Sequence, residues 1–311
     1  MENWEIIIIG AGPAGLTAGI YAVRSGLKTL ILEEKTAGGT VMDAPVIENY
    51  PGFERISGLE LAEKMITQCR NLGVAIHELE KVESLDLKGK EKIVKTAIGD
   101  YRAKAVIIAS GTSYSELGVP GEKEFKGRGV SHCGICDGPL FKGKRVLIVG
   151  GGNSAVATAL YLSELASQVK VVHRREAFRA EEARVKALLN KGNVEVLWNT
   201  ELKEIKGGKI VEKAVLFNLK NRVAQETMVD GVFIQVGETP NSQTAKEAGV
   251  NVDENGYIIV DVRQRTNIPG VYAAGDVTNH PVKQVGTAVG QAITAAVEAY
   301  GYIKRPYHYK E

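Results

Sequence analysis

Two glycine turns, each entered from a short apolar run and left into a helical pattern, and a third apolar run near the C-terminus that closes on an acid, predict an α/β fold. The expected architecture is two Rossmann-like dinucleotide-binding domains, the second inserted into the first. Composition agrees. The 311 residues suffice for two ordinary cores, and 35 glycines with only 6% aromatics suit buried parallel strands that turn tightly into helices.

The first run, Ile6 to Ile9, has the apolarity of a signal segment, but Glu2 and Glu5 precede it and Gly10, Gly12 and Pro13 break it. Neither export nor a membrane span is expected. It leads into Gly10-x-Gly12-x-x-Gly15, with Pro13 and Ala14 between the glycines. In a strand-turn-helix setting Gly10 permits the tight turn and Gly12 lets the main chain approach a pyrophosphate. Gly15 lets helix and strand pack closely. A second strand over 27–33 ends in Glu33, at the distance from Gly10 that suits a carboxylate reading a ribose hydroxyl. Residues 59–73 follow, where Leu59, Ala62, Ile66, Cys69 and Leu72 recur near helical spacing and Gly73 ends the pattern. Cys69 reads there as a small buried hydrophobe.

Further along, Ser131-His-Cys133-Gly-Ile-Cys136-Asp137 brings two cysteines close enough for a disulfide in a tight turn. Half a zinc site is the alternative, yet no second ligand pair exists, and unpaired core cysteines are another. A redox disulfide is the expectation. Asp137 is placed to move protons on and off such a pair, or to cap the following turn, and the two roles are compatible.

The strand-turn-helix grammar then repeats as Gly150-x-Gly152-x-x-Ala155, with Asn153 and Ser154 opening the helix. At the position equivalent to Glu33 stands His173, followed by Arg174, Arg175 and Arg179. An acid would repel a ribose 2′-phosphate, whereas guanidinium forks bind one bidentately, so this second site should prefer NADPH to NADH. The last run, Gly270 to Asp276, is a strand with an acid at its carboxyl end. Its helical continuation over 284–296 implies that both chain ends build one nucleotide domain.

The formal charge of +2 is spread along the chain, with no basic run interleaved with aromatics, so no nucleic-acid partner is expected. Three cysteines without a secretion signal point to the reducing cytosol.

Over essentially its whole length the order of these motifs, with Gly38-Gly39 and Glu48-Asn-Tyr-Pro-Gly52, resembles the low-molecular-weight thioredoxin reductases. The resemblance implies an FAD domain at 1–113 and 243–311 and an NADPH domain at 114–242 that carries the cysteine pair. FAD would be held by Gly10, Gly12, Pro13, Ala14, Gly15, Glu33, Gly39, Asn49, Gly111, Gly275, Asp276, Lys283 and Gln284. NADPH would be held by Gly150, Gly152, Asn153, Ser154, Ala155, His173, Arg174, Arg175 and Arg179. Cys133, Cys136 and Asp137 would be catalytic, thioredoxin or a glutaredoxin-like protein the partner, and the molecule a cytoplasmic homodimer. A rotation about short links near 114–118 and 237–243 would serve the two electron transfers in turn.

Thr40, Ser110-Gly111-Thr112 and Lys283 depart from the family's usual residues at the flavin, and none touches the cysteines. Relatives fed by ferredoxin or a deazaflavin lose the second glycine motif and the arginines, and this chain keeps both. Two rival readings are a flavin dithiol oxidase, which would take up oxygen with a small dithiol and no NADPH, and a redox-sensing nucleotide-binding module without turnover. Which cysteine faces the flavin stays open, with Cys136, next to Asp137, the first choice.

Overall fold

The computed structural model describes residues 1–44, 47–132 and 134–304, with those at 43, 135 and 136 described by their main chain alone. The chain begins with β1 (Glu2–Asn3), β2 (Ile6–Ile9), α1 (Pro13–Arg24), β3 (Thr29–Leu32), α2 (Gly58–Asn71) and β4 (Ala75–His77). It continues through β5 (Val82–Asp86), β6 (Lys92–Thr96), β7 (Asp100–Ala103), β8 (Ala105–Ile108) and β9 (Thr112–Tyr114). Next come β10 (Val130–Ser131), α3 (Gly134–Asp137), β11 (Arg145–Gly150), α4 (Asn153–Ser163), β12 (Gln168–His173), α5 (Glu182–Leu189) and β13 (Val194–Trp198). The antiparallel strands β14 (Thr200–Gly207), β15 (Val211–Asn218) and β16 (Ala224–Met228) precede β17 (Gly231–Gln235) and β18 (Glu238–Pro240). The chain closes with α6 (Gln243–Glu247), β19 (Val271–Ala273) and α7 (Val285–Lys304).

Two compact units result, Met1–Ser113 with Thr239–Glu311, and Tyr114–Glu238. The returning strand β18 pairs with the outgoing strand β9.

Each unit holds a five-stranded parallel sheet, ordered β19-β8-β2-β3-β4 in the first and β10-β17-β11-β12-β13 in the second. Both faces of each are covered, which is why the strands read as unbroken apolar runs. In the first unit Ile6 and Ile8 pack under α1, α2 and α7, while Ile7 and Ile9 face the layer built by β5, β6 and β7. In the second, Val146 and Ile148 face α4, while Leu147 and Val149 meet β14 and β15.

Helix α2 is capped by Ser57, whose Oγ accepts from Glu60 N at 3.1 Å. Its buried face is Leu61, Ala62, Met65 and Cys69, and Leu59 is half exposed. The apolar stripe therefore starts two residues later than the sequence suggested, because the cap sets the helix phase and Leu59 falls in the first turn on the outer side. Cys69 is fully buried, as its spacing predicted, and burial pushes its thiol up to about 12.

Candidate active site

In the first unit β2 ends at Ile9 and the chain turns at once into α1. Gly10 has φ +103°, and a Cβ there would lie 2.4 Å from the Ala109 carbonyl oxygen. A Cβ on Gly15 would lie 1.8 Å from the Gly10 oxygen, so helix and strand meet at a distance that only glycine allows. The N-terminus of α1 has no side-chain cap and no acid in its first turn. Its first N–H groups, with the positive end of the helix dipole, are suited to a pyrophosphate.

Glu33 follows β3 directly. Its Oε2 accepts from Ala11 N at 2.7 Å and its Oε1 from Lys35 N at 2.9 Å, which fixes the carboxylate beside the glycine turn. Gly39 approaches the same turn from the other side, where a Cβ would lie 2.8 Å from the Gly12 Cα. Asn49 Nδ2 donates to Gln284 Oε1 at 3.0 Å, so two residues far apart in sequence share one place. Gly275 lies against α1, a Cβ there falling 2.9 Å from that of Ala14, and carries Asp276 to the same helix end. Lys283 reaches Asp276 through its backbone: Nζ donates to the Asp276 oxygen at 2.9 Å and to the Thr278 oxygen, and sits 4.0 Å over the Tyr257 ring. Gly111 accepts from Asn241 N at 3.0 Å, beside the links between the units.

Sequence reasoning missed the platform behind Glu33. Glu33 N donates to the His77 oxygen at 2.9 Å, and Glu80 N donates to the Glu33 oxygen at 2.8 Å. Glu80 itself, 4% exposed, takes hydrogen bonds from Thr96 and Tyr101, both at 2.7 Å, and from His77 at 3.1 Å. Burial opposes its charge, but these three donors outweigh burial and hold the carboxyl below the usual carboxylate range.

The second unit repeats the plan. Helix α4 starts at Asn153 after Gly152, again without a side-chain cap or a first-turn acid. Ala155 is buried under the turn, and Asn153 Oδ1 accepts from Glu181 N at 2.8 Å. Ser154 is exposed in the first turn. His173 ends β12 and is buried between Phe178 and Trp198, with Nε2 3.0 Å from the Ala177 oxygen. Burial first, with the charges of Arg175, Arg179 and Arg174, lowers its pKa against the opposing hydrogen bond to the Ala177 carbonyl, which accepts from Nε2. His173 thereby folds residues 174–179 back, and Arg179 N donates to the Gly151 oxygen at 2.7 Å. Arg174, Arg175 and Arg179 are exposed, and none pairs with a carboxylate among the described residues. Three unpaired guanidinium groups beside an uncapped helix N-terminus fit a phosphorylated ribose.

Cys133 lies outside the described residues, and Cys136 is described by its main chain within α3. That helix is packed onto α4, since a Cβ on Gly134 would lie 2.3 Å from the Thr158 methyl carbon. Gly134 therefore lies against the helix that follows the second glycine turn. Asp137 ends α3, is half-buried, and makes no capping hydrogen bond to the turn after it. Among the described residues no helix is long and apolar enough to cross a membrane.

A family model described as pyridine nucleotide-disulphide oxidoreductase matches residues 4–292. The thioredoxin reductase of Bacillus subtilis (strain 168) is 42% identical over 304 residues, 97% of this chain and 95% of that protein. The crystal structure of Lactococcus lactis thioredoxin reductase aligns with a TM-score of 0.92 at 39% identity, over 97% of this chain and 100% of that one. That of T. acidophilum thioredoxin reductase gives 0.90 at 40%, over 97% and 99%.

Proposed function

Because this chain belongs to the pyridine nucleotide-disulphide oxidoreductase family, we propose that it is an NADPH-dependent thioredoxin-disulfide reductase of the low-molecular-weight kind. One observation carries this reading: the chain aligns end to end with thioredoxin reductases, and Gly134 of α3, the short helix that begins between the two cysteines of the motif and ends at Asp137, packs onto Thr158 of α4 in the second unit. The first unit is assigned to FAD, with its pyrophosphate at the α1 N-terminus and Glu33 at the ribose. The second is assigned to NADPH, with its 2′-phosphate at Arg174, Arg175 and Arg179. When bound, NADPH would supply a hydride and FAD a two-electron relay for the Cys133–Cys136 disulfide.

The chain's own groups do the rest. The uncapped helix ends and the arginines orient both nucleotides, and Glu80 keeps Glu33 in place. The dithiol then reduces a thioredoxin or glutaredoxin-like disulfide by exchange, with Cys133 as the exchanging thiol and Asp137 moving a proton at Cys136. The resemblance further supports a homodimer working in the cytoplasm.

The test is NADPH consumption against a panel of the organism's own small dithiol proteins. Sustained consumption is expected only with a thioredoxin-like disulfide. Cys133→Ser and Cys136→Ser should each abolish it while NADPH still bleaches the flavin. Consumption that needs oxygen alone and ignores both cysteines would overturn the assignment.

A further inference from the structure

Three neighbouring parallel strands of the second unit end at one edge of their sheet: β11 at Gly150, β12 at His173 and β13 at Trp198, with His173 and Trp198 in register. The arginines stand on the loop that leaves β12, residues 174–179, which has no regular structure of its own. A guanidinium fork takes a phosphate bidentately only where its main chain is held, since an arginine side chain has much rotamer freedom to lose.

Two anchors tie this loop to the glycine turn. The His173 ring lies against Gly151, where a Cβ would fall 2.2 Å from its Cε1 and Nδ1, and its Nε2 is 3.0 Å from the Ala177 oxygen. Arg179 N donates to the Gly151 oxygen at 2.7 Å.

The other anchors come from the corner between β13 and β14. The Phe178 ring is centred 4.6 Å from the Trp198 ring and 5.6 Å from that of His173, and Trp198 meets His173 edge-on at 6.2 Å. Asn199, the single residue between the two strands, has φ +52°. In this left-handed conformation its N–H donates to the Arg175 oxygen at 3.2 Å, and its own oxygen accepts from Leu219 N at 2.6 Å. Asparagine reaches positive φ far more readily than a β-branched residue does. The one acid of the loop, Glu176, pairs with Lys220, next to Leu219 in the turn after β15. The corner thus holds Arg175 by its main chain and Phe178 by its ring.

We propose that Trp198 and Asn199 are positioning residues for cofactor selectivity: the corner between β13 and β14 keeps the arginine loop in the shape that takes a ribose 2′-phosphate. The proposal rests on the assignment of the second unit to NADPH. NADH differs from NADPH by that phosphate alone, so a loop held for the phosphate matters to one cofactor and not to the other. Residues that merely stabilised the unit would affect both cofactors alike.

The experiment measures binding of 2′,5′-ADP and of 5′-ADP to the FAD-loaded protein by calorimetry, with the NADPH and NADH concentrations that half-saturate flavin bleaching. Asn199→Val strains the left-handed corner, and Trp198→Ala takes the ring from Phe178. Each should weaken 2′,5′-ADP by about tenfold, the loss of one charged hydrogen-bonding contact, and move 5′-ADP by no more than about twofold. NADPH should lose ground against NADH by the same factor. Asn199→Gly, which adopts positive φ freely, and Trp198→Phe, which keeps an aromatic face, should retain most of the discrimination. If Trp198→Ala fails to fold, the comparison of Asn199→Val with Asn199→Gly decides. A folded Asn199→Val protein that binds 2′,5′-ADP as tightly as the parent, or that loses both nucleotides equally, overturns the positioning role. A parent that binds the two nucleotides alike overturns the NADPH assignment and the proposal with it, so the parent alone tells the two failures apart.

Discussion

Arg174 and Arg175 make a prediction that belongs to single side chains. Losing a bidentate phosphate contact costs roughly 1.5–3 kcal/mol, about ten- to a hundredfold in binding. Arg174→Ala with Arg175→Ala should therefore raise the KM for NADPH by that factor and barely move that for NADH; equal losses for both cofactors would remove the 2′-phosphate from this site. Asp137 is the second case. It makes no capping bond to the turn it precedes, so Asp137→Asn should fold, retain FAD and accept hydride normally. Thioredoxin reduction should still slow by roughly ten- to a thousandfold, and wild-type turnover would transfer the proton role to water or to another group. Glu33 was legible in the sequence because its spacing from Gly10 is fixed by one strand-helix-strand unit. Glu80 was not, because its partners Thr96 and Tyr101 stand on separate strands, reach it only through tertiary folding and follow no repeating interval.

At the scale of elements, the unit that closes β2 onto α1 depends on the absence of a side chain. Gly15→Ala would place a Cβ 1.8 Å from the Gly10 oxygen, so α1 must shift away from the strand. Overpacking of this kind costs about 1–3 kcal/mol. A lower urea midpoint and loss of bound FAD are expected, and a variant that keeps both would show that the turn tolerates displacement. The layer built by β5, β6 and β7 is joined to β4 through Glu80. Because the folded protein lowers the Glu80 pKa, its stabilisation is fully present above the usual carboxylate range and lost as pH falls through the lowered value. The stability gap between the parent and Glu80→Gln should thus be constant from about pH 6 to 8 and shrink below about pH 4. A gap that is the same at both ends would exclude the linkage. The glycine turns and buried strands were readable from local pattern. The phase of α2 was not, since one capping hydroxyl at Ser57 decided which residues face inward.

On the scale of the whole molecule, each unit has its own two core layers, one on either face of its parallel sheet. Calorimetry should resolve a transition that FAD raises and another that NADP+ raises, each ligand adding about 2.7 kcal/mol at a hundred times its Kd. One transition moved equally by both would show that the units unfold together. The pairing of β8 with β19, and of α1 with α7 in one core, also has a consequence for synthesis. Residues 1–113 leave the ribosome with the edge of β8 bare, and the strand and helix that cover it come from beyond residue 270. At about 5–20 residues per second that interval is on the order of ten seconds or more. Over that time the contiguous segment Tyr114–Glu238 can complete its own fold, while the earlier-made half waits with an unpaired strand that invites wrong partners. Nascent chains stalled before residue 271 should accordingly bind chaperones through their first hundred or so residues, and release them once α7 has emerged.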